Sequence, residues 1–367
     1  MSKLVIQQWP QEISLGRGQK FLDAGLAAGA PMPFSCMSGE CGACKCRLVS
    51  GEVEHGPHSP DALSAQERAS GMILACCSRA ASAEVVLSLD EATAQRPAPL
   101  RHVARVVGRE AANHDVMRLR LAFEGAAPEF SAGQFARLEF AGLPPRSYSA
   151  ANRPGEETWE FHIRHVPGGK VSGHVFHQVQ VGDELVLHGP HGSACWDQVT
   201  TTPLLLVAGG TGLAPVLSIL RAALAAGQQV EALYHGVRSS ADLYDHDLLV
   251  NLARDHGFRL VPVLSAPEAE DTGARSGFVH QALGQDFASL HGYRIFVCGP
   301  PPMVDAVKAL ALARGAAPDQ VHADAFHAAE SAANADAFHA GESAANAENA
   351  KPARLWDRLR NAMKRVA

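Results

Sequence analysis

Short apolar segments alternate with polar ones along most of the chain, and their spacing changes twice. Near the N-terminus the pattern predicts a strand at 4–6, a helix at 21–28 and a strand at 84–89. From residue 100 to residue 202 the segments are short and lie between Gly and Pro turns, which is typical of an antiparallel barrel. Its predicted strands lie at 102–107, 116–123, 134–140, 159–165 and 184–188.

After Pro203 apolar strands alternate with helices. The predicted strands lie at 204–208, 230–235, 259–264 and 293–298, and the predicted helices end near residues 226, 256 and 314. This alternation predicts a mostly parallel, doubly wound sheet. The chain as a whole is therefore expected to combine α+β and α/β domains.

These changes of pattern divide the chain into four parts. Residues 92–99 are rich in Ala and Pro and predict a linker. We therefore predict folded units at 1–92, 100–202 and 203–326, followed by a terminal segment at 327–367.

The terminal segment contains an internal duplication. Residues 335–346 repeat residues 323–334 with one change in twelve positions, and residues 351–367 carry six basic residues and one acidic residue at helical spacing. This composition favours a flexible linker and a solvated terminal helix. The alternatives are a docking element and a basic helix that binds anionic lipid or an acidic partner.

Composition and charge narrow the functional classes. With 47% hydrophobic and 19% charged residues among 367, most of the chain is expected to fold. The net charge of −6 and the absence of a basic block in the body argue against a nucleic-acid partner. The longest apolar run, at 204–220, contains several glycines and Pro215, so no membrane span is predicted.

Cysteine spacing gives the strongest chemical signal. Cys36, Cys41 and Cys44 follow the plant-type pattern C-x4-C-x2-C, which predicts a 2Fe-2S cluster with a fourth, distant cysteine ligand. The spacing alone leaves both Cys76 and Cys77 open as that ligand. Clustered cysteines of this kind, with no secretory signal at the N-terminus, predict a cytoplasmic protein.

Two glycines in this loop support the cluster. Gly39 and Gly42 can adopt backbone angles that aim amides at the sulfur atoms, where a Cβ would interfere. A zinc site is the alternative, but zinc ligands usually come in paired C-x2-C units. Cys46 is interpreted as an ordinary small residue of a strand.

The barrel region carries residues suited to a flavin dinucleotide. Arg146 can pair with a pyrophosphate, Tyr148 can lie along an isoalloxazine ring, and the Ser149 hydroxyl can reach the N5 edge. A glycine-rich turn further along precedes a predicted helix, whose N-terminal amides can bind phosphate. The candidate residues are Arg146, Ser147, Tyr148, Ser149, Gly169, Lys170, Val171 and Ser172.

The C-terminal sheet carries two candidate nucleotide turns. Gly210, Thr211 and Gly212 follow an apolar strand and open a helix, where a parallel sheet places a ligand phosphate. A second turn suits a nicotinamide, with a small polarizable thiol beside the ring, and its candidate residues are Cys298, Gly299, Pro300 and Met303. Arg238 ends another strand, where an adenosine ribose would lie.

With these motifs in this order, residues 1–326 resemble the flavoprotein reductases of bacterial aromatic-ring dioxygenases, of the naphthalene dioxygenase type. The resemblance implies a β-grasp ferredoxin domain, an antiparallel β-barrel FAD domain and a doubly wound parallel-sheet NAD(P) domain. It selects Cys76 as the fourth ligand and adds His162 and Ile163 to the flavin site. It also places a phenylalanine near the flavin, for which the duplication leaves Phe326 and Phe338 as candidates.

The resemblance implies electron transfer from NAD(P)H through FAD and a 2Fe-2S cluster to a small ferredoxin or a terminal oxygenase. Ser149 and Cys298 are then the residues expected beside the reacting rings. NADH is the expected donor, with NADPH as a possibility, and a monomer is the expected state. The alternatives are the reductase of a multicomponent monooxygenase, such as phenol hydroxylase, and a redox-sensing protein without turnover.

Overall fold

The computed structural model describes residues 2–34, 37, 39–90, 100–267 and 273–326. The predicted linker at 92–99, the segment 327–367 and Cys36 lie outside the described residues, and so does Phe338. Within the described part, three large sheets follow one another along the chain. They correspond to the three predicted units and confirm the predicted fold class.

The N-terminal unit is a mixed five-stranded sheet in the order β2-β1-β7-β3-β5, with β4 and β6 forming a separate pair. Its strands are β1 (Ser2–Ile6), β2 (Ile13–Leu15), β3 (Lys45–Ser50), β4 (Val53–His55), β5 (Met72–Leu74), β6 (Ser78–Ala80) and β7 (Glu84–Ser88). Helix α1 (Phe21–Ala27) buries Phe21 and Leu22 in the core, and α2 (Ala65–Ala69) begins with a capping box at Ser64.

The second unit is an antiparallel six-stranded barrel in the order β11-β10-β13-β8-β9-β12. A bridge between Ala150 and Phe161 joins the ends of the two edge strands and so closes the barrel. The elements are β8 (Leu100–Ala111), β9 (Val116–Phe123), β10 (Phe135–Glu139), β11 (Arg146–Ser149), β12 (Trp159–Arg164), α3 (Lys170–His177) and β13 (Glu184–His191).

The third unit is a parallel six-stranded sheet in the order β17-β16-β15-β14-β18-β19. Its strands are β14 (Leu204–Gly209), β15 (Val230–Val237), β16 (Arg259–Leu264), β17 (Arg275–Ser276), β18 (Arg294–Gly299) and β19 (Val321–Ala325). Its helices are α4 (Leu213–Ala225), α5 (His246–His256), α6 (Val279–Asp286) and α7 (Pro301–Ala313).

The central strand β14 explains why this sheet is covered on both faces. Leu204 and Leu206 belong to one hydrophobic core, whereas Leu205 and Val207 belong to the other, and all four are fully buried. Alternate side chains of a strand point to opposite faces, so an uninterrupted apolar run requires helices on both sides. None of the helices in the described part of the chain is long and apolar enough to cross a bilayer.

The hydrophobic pattern of the sequence does not predict two strands of this sheet. β17 has only two residues, and β19 consists largely of small and polar residues. β19 also includes Ala323–Ala325, the first residues of the duplicated segment. The first copy of the duplication therefore begins inside the third sheet.

Candidate redox site

The cysteine loop brings together those predicted cluster ligands that the structure describes. Cys44 and Cys76 are buried and Cys41 is half-buried. The Ala75 amide donates to the Cys44 carbonyl at 3.1 Å, which fixes the distant segment beside the loop. The Ala43 amide points at the Cys41 sulfur from 3.5 Å, as expected for an amide that stabilises a ligated thiolate.

Gly39 and Gly42 adopt the predicted unusual backbone angles, with φ of +86° and +74°. A Cβ on Gly39 would lie 2.8 Å from the Cys77 sulfur and 2.9 Å from the Pro57 carbonyl oxygen. Only glycine fits this turn without displacing the surrounding backbone. The loop is therefore shaped to wrap closely around its cysteines.

The remaining cysteines of this unit differ in their surroundings. Cys46 lies in the hydrophobic core, and burial raises the pKa of its thiol to about 12, so it remains a protonated core residue. The Cys77 sulfur lies 3.4 Å from the Cys76 sulfur. The assignment of Cys76 as the fourth ligand thus stays a prediction.

The donor set fits a 2Fe-2S cluster. Cys41, Cys44 and Cys76 offer three sulfur atoms, and soft sulfur ligands beside a backbone amide are what such a cluster requires. Together with Cys36, they are the residues that would hold it.

The candidate flavin residues Arg146–Ser149 form the edge strand β11, which pairs with β10 through Ser149 and Phe135. Burial raises the pKa of Tyr148 to about 12, so its phenol stays neutral beside any bound ring. The Arg146 guanidinium donates to the Pro145 carbonyl at 3.0 Å.

The glycine-rich turn before α3 is as closely packed around its glycine as the cysteine loop is around Gly39. A Cβ on Gly169 would lie 2.6 Å from the Ser172 hydroxyl, which itself accepts a hydrogen bond from the Val166 amide at 3.1 Å. Val171 is buried in the barrel core, and Lys170 begins the helix. The backbone amides at this helix N-terminus fit a phosphate of FAD.

The side chains of His162 and Ile163 contact other parts of the protein. Ile163 is fully buried in the barrel core, whereas the His162 imidazole lies 3.1 Å from the Tyr244 hydroxyl and 3.3 Å from the Glu160 carboxylate. Both side chains are thus engaged elsewhere. FAD binding by these two residues stays a prediction, and it rests on their backbone atoms.

The two candidate nucleotide turns lie directly against each other. A Cβ on Gly212 would lie 2.1 Å from the Cys298 carbonyl oxygen, and one on Gly299 would lie 2.9 Å from Gly209 Cα. Gly299 has a φ of +147°, which favours glycine. A Cβ on Gly209 would meet the Met303 sulfur at 2.6 Å. Both turns follow parallel strands and therefore lie at the carboxyl edge of the sheet. This is the edge at which sheets of this kind bind a dinucleotide.

The side chain of Cys298 is buried, and burial together with the nearby Asp324 raises the pKa of its thiol well above the usual value. A protonated thiol contributes shape and polarizability at this position, not a nucleophile. Phe326 follows β19, and its amide donates to the Gly299 carbonyl at 2.8 Å. Arg238 is exposed at the end of β15.

Sequence reasoning missed a cation in this cleft. Arg164 ends β12, and its Nε lies 2.7 Å from the Asp115 carboxylate. Its Nη1 is 3.9 Å from the position of a Cβ on Gly210, so it faces the first nucleotide turn from the barrel side. Its place at a strand end, directly after the candidate flavin residues His162 and Ile163, was the available signal.

Comparison with protein-family models agrees with this order of sites. The model of the 2Fe-2S iron-sulfur cluster binding domain matches residues 5–81, that of the oxidoreductase FAD-binding domain matches 103–196, and that of the oxidoreductase NAD-binding domain matches 206–309. The fold and site thus define an iron-sulfur flavoprotein oxidoreductase that uses a 2Fe-2S cluster, FAD and NAD(H).

Comparison with individual proteins identifies the family. The chain is 37% identical to the ferredoxin–NAD(P)+ reductase component of the naphthalene 1,2-dioxygenase/salicylate 5-hydroxylase systems of a Ralstonia species, over 89% of this chain and 98% of that relative. It is 38% identical to the corresponding Pseudomonas putida component, over 89% of this chain and 98% of that relative. The chain belongs to this family of reductase components, which confirms the resemblance.

The chain is also similar to reductases that are named for other systems. The chain is 41% identical to the reductase subunit of an Amycolatopsis aromatic O-demethylase, over 84% of this chain and 94% of that relative. Among solved structures, it is similar to an Amycolatopsis cytochrome P450 reductase, with a TM-score of 0.74, 35% identity, and 89% of this chain and 99% of that chain covered. A ferredoxin reductase of carbazole 1,9a-dioxygenase gives a TM-score of 0.70 at 30% identity, with 89% and 98% covered.

Proposed function

We propose that this reductase takes electrons from NADH and delivers them to a small ferredoxin or directly to the terminal oxygenase of an aromatic-ring dioxygenase system. The observation that supports this most is that the chain covers 98% of both naphthalene-type reductase components and itself matches the 2Fe-2S, FAD-binding and NAD-binding family models. Its failure to reduce a cognate ferredoxin or oxygenase would contradict the proposal.

We propose the following roles for the candidate residues. Cys36, Cys41, Cys44 and Cys76 hold the cluster, Arg146–Ser149 with the amides of Gly169–Ser172 hold FAD, and Gly210–Gly212 with Cys298–Pro300 and Met303 hold the nicotinamide dinucleotide. A bound flavin supplies the exchange between a two-electron donor and one-electron acceptors. The protein side chains bind and orient the cofactors and exclude water.

The domain boundaries at 92, 100, 202 and 326 belong to the same proposal and are supported by the matched ranges 5–81, 103–196 and 206–309. A monomer in the cytoplasm is also proposed. The clustering of cysteines in the spacing of an iron-sulfur site supports a reducing compartment.

The preference for NADH or NADPH as electron donor depends on the residues that follow strand β15. The Asp242 carboxylate, the nearest acid beyond Arg238, accepts hydrogen bonds from the Ser239 amide at 2.9 Å and from its hydroxyl at 3.0 Å. It is therefore committed to capping the turn. An exposed arginine such as Arg238 can accommodate a 2′-phosphate, so we propose that NADPH is accepted as a second donor. The preference for NADH is proposed from the family resemblance alone.

The test is steady-state oxidation of NADH and of NADPH by protein whose iron, sulfide and flavin contents have been measured. Ferricyanide reports flavin turnover, and reduction of a purified small ferredoxin reports transfer through the cluster. We expect both activities with NADH, and loss of the second alone when the cluster is absent. A fully loaded protein that oxidises neither nucleotide would contradict the proposal and favour a redox-sensing role.

A second candidate function is direct reduction of a monooxygenase. The similarity to the Amycolatopsis cytochrome P450 reductase, with a TM-score of 0.74 at 35% identity, supports a cytochrome P450 acceptor. The 34% identity with the phenol hydroxylase P5 protein of Acinetobacter pittii supports a multicomponent monooxygenase. Side-by-side assays with a small ferredoxin, a P450 and a dioxygenase component separate these acceptors by their rates.

A further inference from the structure

Tyr244 lies where the FAD barrel meets the nucleotide-binding sheet, and its side chain is almost completely buried. Its ring packs edge-on against His162 of β12, with centroids 5.3 Å apart. On its other side it packs edge-on against His235 of β15, with centroids 5.9 Å apart. One tyrosine thus contacts a histidine from each of two domains.

The contact with the barrel is a directed hydrogen-bond chain. Burial raises the pKa of Tyr244 well above its usual value, so the hydroxyl remains a donor. Burial also raises the pKa of the Glu160 carboxyl, but the hydrogen bond with His162 and the nearby arginines outweigh it and leave that pKa lowered. The Glu160 carboxylate lies 3.3 Å from His162 Nε2, and in the tautomer that donates to it Nδ1 accepts from the Tyr244 hydroxyl at 3.1 Å.

The contact on the other side reaches the first nucleotide turn. Burial lowers the pKa of His235 to about 4, so this imidazole is neutral at physiological pH. Its Nε2 lies 3.4 Å from the carbonyl oxygen of Gly210 and donates to it. Tyr244 therefore links the barrel, through His162 and His235, to the turn that begins at Gly210.

Neighbouring contacts hold the same interface. Arg118 of β9 forms an ion pair with Asp245, which directly follows Tyr244 and has a φ of +54°, unusual for a residue other than glycine. Arg221 of α4 donates to the Ala151 carbonyl of the barrel at 3.0 Å. The Asn113 side-chain amide of the barrel unit donates to the Asp242 carbonyl at 3.2 Å, so the segment that carries Tyr244 is anchored to the barrel at its backbone as well as at its side chains.

We propose that Tyr244 is a positioning residue that fixes the Gly210 turn relative to the flavin barrel. This inference rests on the proposed dinucleotide site at Gly210–Gly212. Hydride transfer depends steeply on the distance and angle between the two reacting rings, because a displacement near 1 Å can cost about 100-fold in rate. A hydrogen-bonded link across the domain boundary limits such displacement.

The test compares Tyr244→Phe with Tyr234→Phe in the full-length protein loaded with its cofactors. Each substitution removes one buried hydroxyl and keeps the ring. The Tyr234 hydroxyl bonds to Asp286 inside the nucleotide-binding sheet, so Tyr234→Phe is a matched control that leaves the domain boundary intact.

Two measurements are made on each variant. Anaerobic stopped-flow reduction of the flavin by NADH gives the limiting rate constant and, separately, the apparent dissociation constant of NADH. For Tyr244→Phe we expect the limiting rate constant to fall about threefold to tenfold, the range set by one lost hydrogen bond, while the dissociation constant changes less than about twofold. Hydrogen–deuterium exchange without nucleotide should be about tenfold faster in the Gly210–Gly212 turn.

Substitutions at His162 provide an independent check. His162→Asn keeps an amide oxygen near the position of Nδ1, whereas His162→Leu removes every acceptor for the Tyr244 hydroxyl. Because His162→Leu removes the bond between the imidazole and the Tyr244 hydroxyl, we expect it to reproduce the exchange and rate changes of Tyr244→Phe, and we expect His162→Asn to restore part of the loss. In the double variant Tyr244→Phe/His162→Leu, the two effects should not add.

Equal effects of Tyr244→Phe and Tyr234→Phe on both measurements would overturn the positioning role. An exchange rate in the Gly210–Gly212 turn unchanged by Tyr244→Phe would overturn it as well. By contrast, if NADH reduces the flavin normally but protects a different segment from exchange, the proposed nucleotide site is wrong. The two failures are therefore distinguishable.

Discussion

The imidazole of His191, at the end of barrel strand β13, packs against the ring of Phe34, with centroids 4.6 Å apart. Phe34 lies two positions before the proposed cluster ligand Cys36 in the sequence. Phe135 of the barrel packs on both rings and belongs to the hydrophobic core of the N-terminal unit. These three rings join the cluster-binding unit to the flavin-binding barrel.

The burial of His191 makes this junction sensitive to acid. Burial, with smaller contributions from Arg137 and His188, lowers the pKa of His191 to about 3, whereas an unfolded chain protonates it near its usual value of 6.5. The folded state binds fewer protons between these two values. The contribution of the neutral His191 to the free energy of unfolding is therefore complete above about pH 6.5. It is lost as the pH falls towards 3, by up to about 1.4 kcal/mol per pH unit.

We expect His191→Phe to flatten this pH dependence. Neither ring nitrogen of His191 has a hydrogen-bond partner within hydrogen-bonding geometry among the described residues, so the substitution leaves no polar group newly unpaired. Urea unfolding at pH 7.5 and pH 5 measures the change, with His256→Gln on the exposed surface as the control. An identical loss of stability at pH 5 in wild type and His191→Phe would contradict the assignment.

The choice of the fourth cluster ligand gives a second prediction. We expect Cys76→Ser to abolish stoichiometric iron and acid-labile sulfide, because a serine hydroxyl replaces the thiolate poorly. Cys46→Ser should keep the cluster, since Cys46 is a protonated core thiol. Iron and sulfide analysis, together with the absorption spectrum of the cluster, shows which variant retains the cluster. Loss of the cluster in Cys77→Ser but retention in Cys76→Ser would reverse the assignment of these neighbours.

The contact between the two nucleotide turns gives a third prediction. In Gly212→Ala the new methyl group would lie 2.1 Å from the Cys298 carbonyl oxygen, so the turns must separate. We expect flavin reduction by NADH to slow by about 100-fold, with cluster and FAD contents unchanged. Gly173→Ala is the matched control, because a Cβ there meets no heavy atom within 4 Å and a helical alanine should stabilise the protein by about 1 kcal/mol.

Arg164 gives a fourth prediction. Its guanidinium is held by Asp115 and faces the Gly210 turn, where a nucleotide phosphate is proposed. We expect Arg164→Gln to raise the dissociation constant of NADH about threefold to tenfold, and more at low salt, because a charged hydrogen-bond donor is lost. Arg153→Gln, which removes only a surface pair with Glu156, should bind NADH as the wild type does. Equal affinities in both variants would exclude Arg164 from the site.

Local sequence signals predict most of the fold because the elements are strongly periodic. The apolar run of β14 and the spacing of Cys41 and Cys44 each specify their structure within a few residues. β19 was not predicted, because its small and polar residues become a strand only by pairing with β18. Strand pairing of this kind depends on tertiary context.

The candidate site is less accessible to sequence reasoning where its parts come from distant segments. His162 was assigned to the flavin site by the family resemblance, yet its side chain bonds to Tyr244, which lies 82 positions further along the chain. No periodic pattern relates these two positions. The Gly210 and Cys298 turns were found because each follows a buried strand and opens a helix, a signal contained in a few consecutive residues.

The close approach of Gly209 and Gly299 also restricts how this protein can vary over evolutionary time. When a larger side chain enters an ordinary core, a neighbour can often shrink to make room for it. Here the atoms that a side chain on Gly299 would meet belong to the main chain of Gly209, which is already the smallest amino acid. A mutation of Gly299 therefore has no second-site remedy, whereas a side chain on Gly209 would meet the side chains of Met303 and Pro300, which can vary.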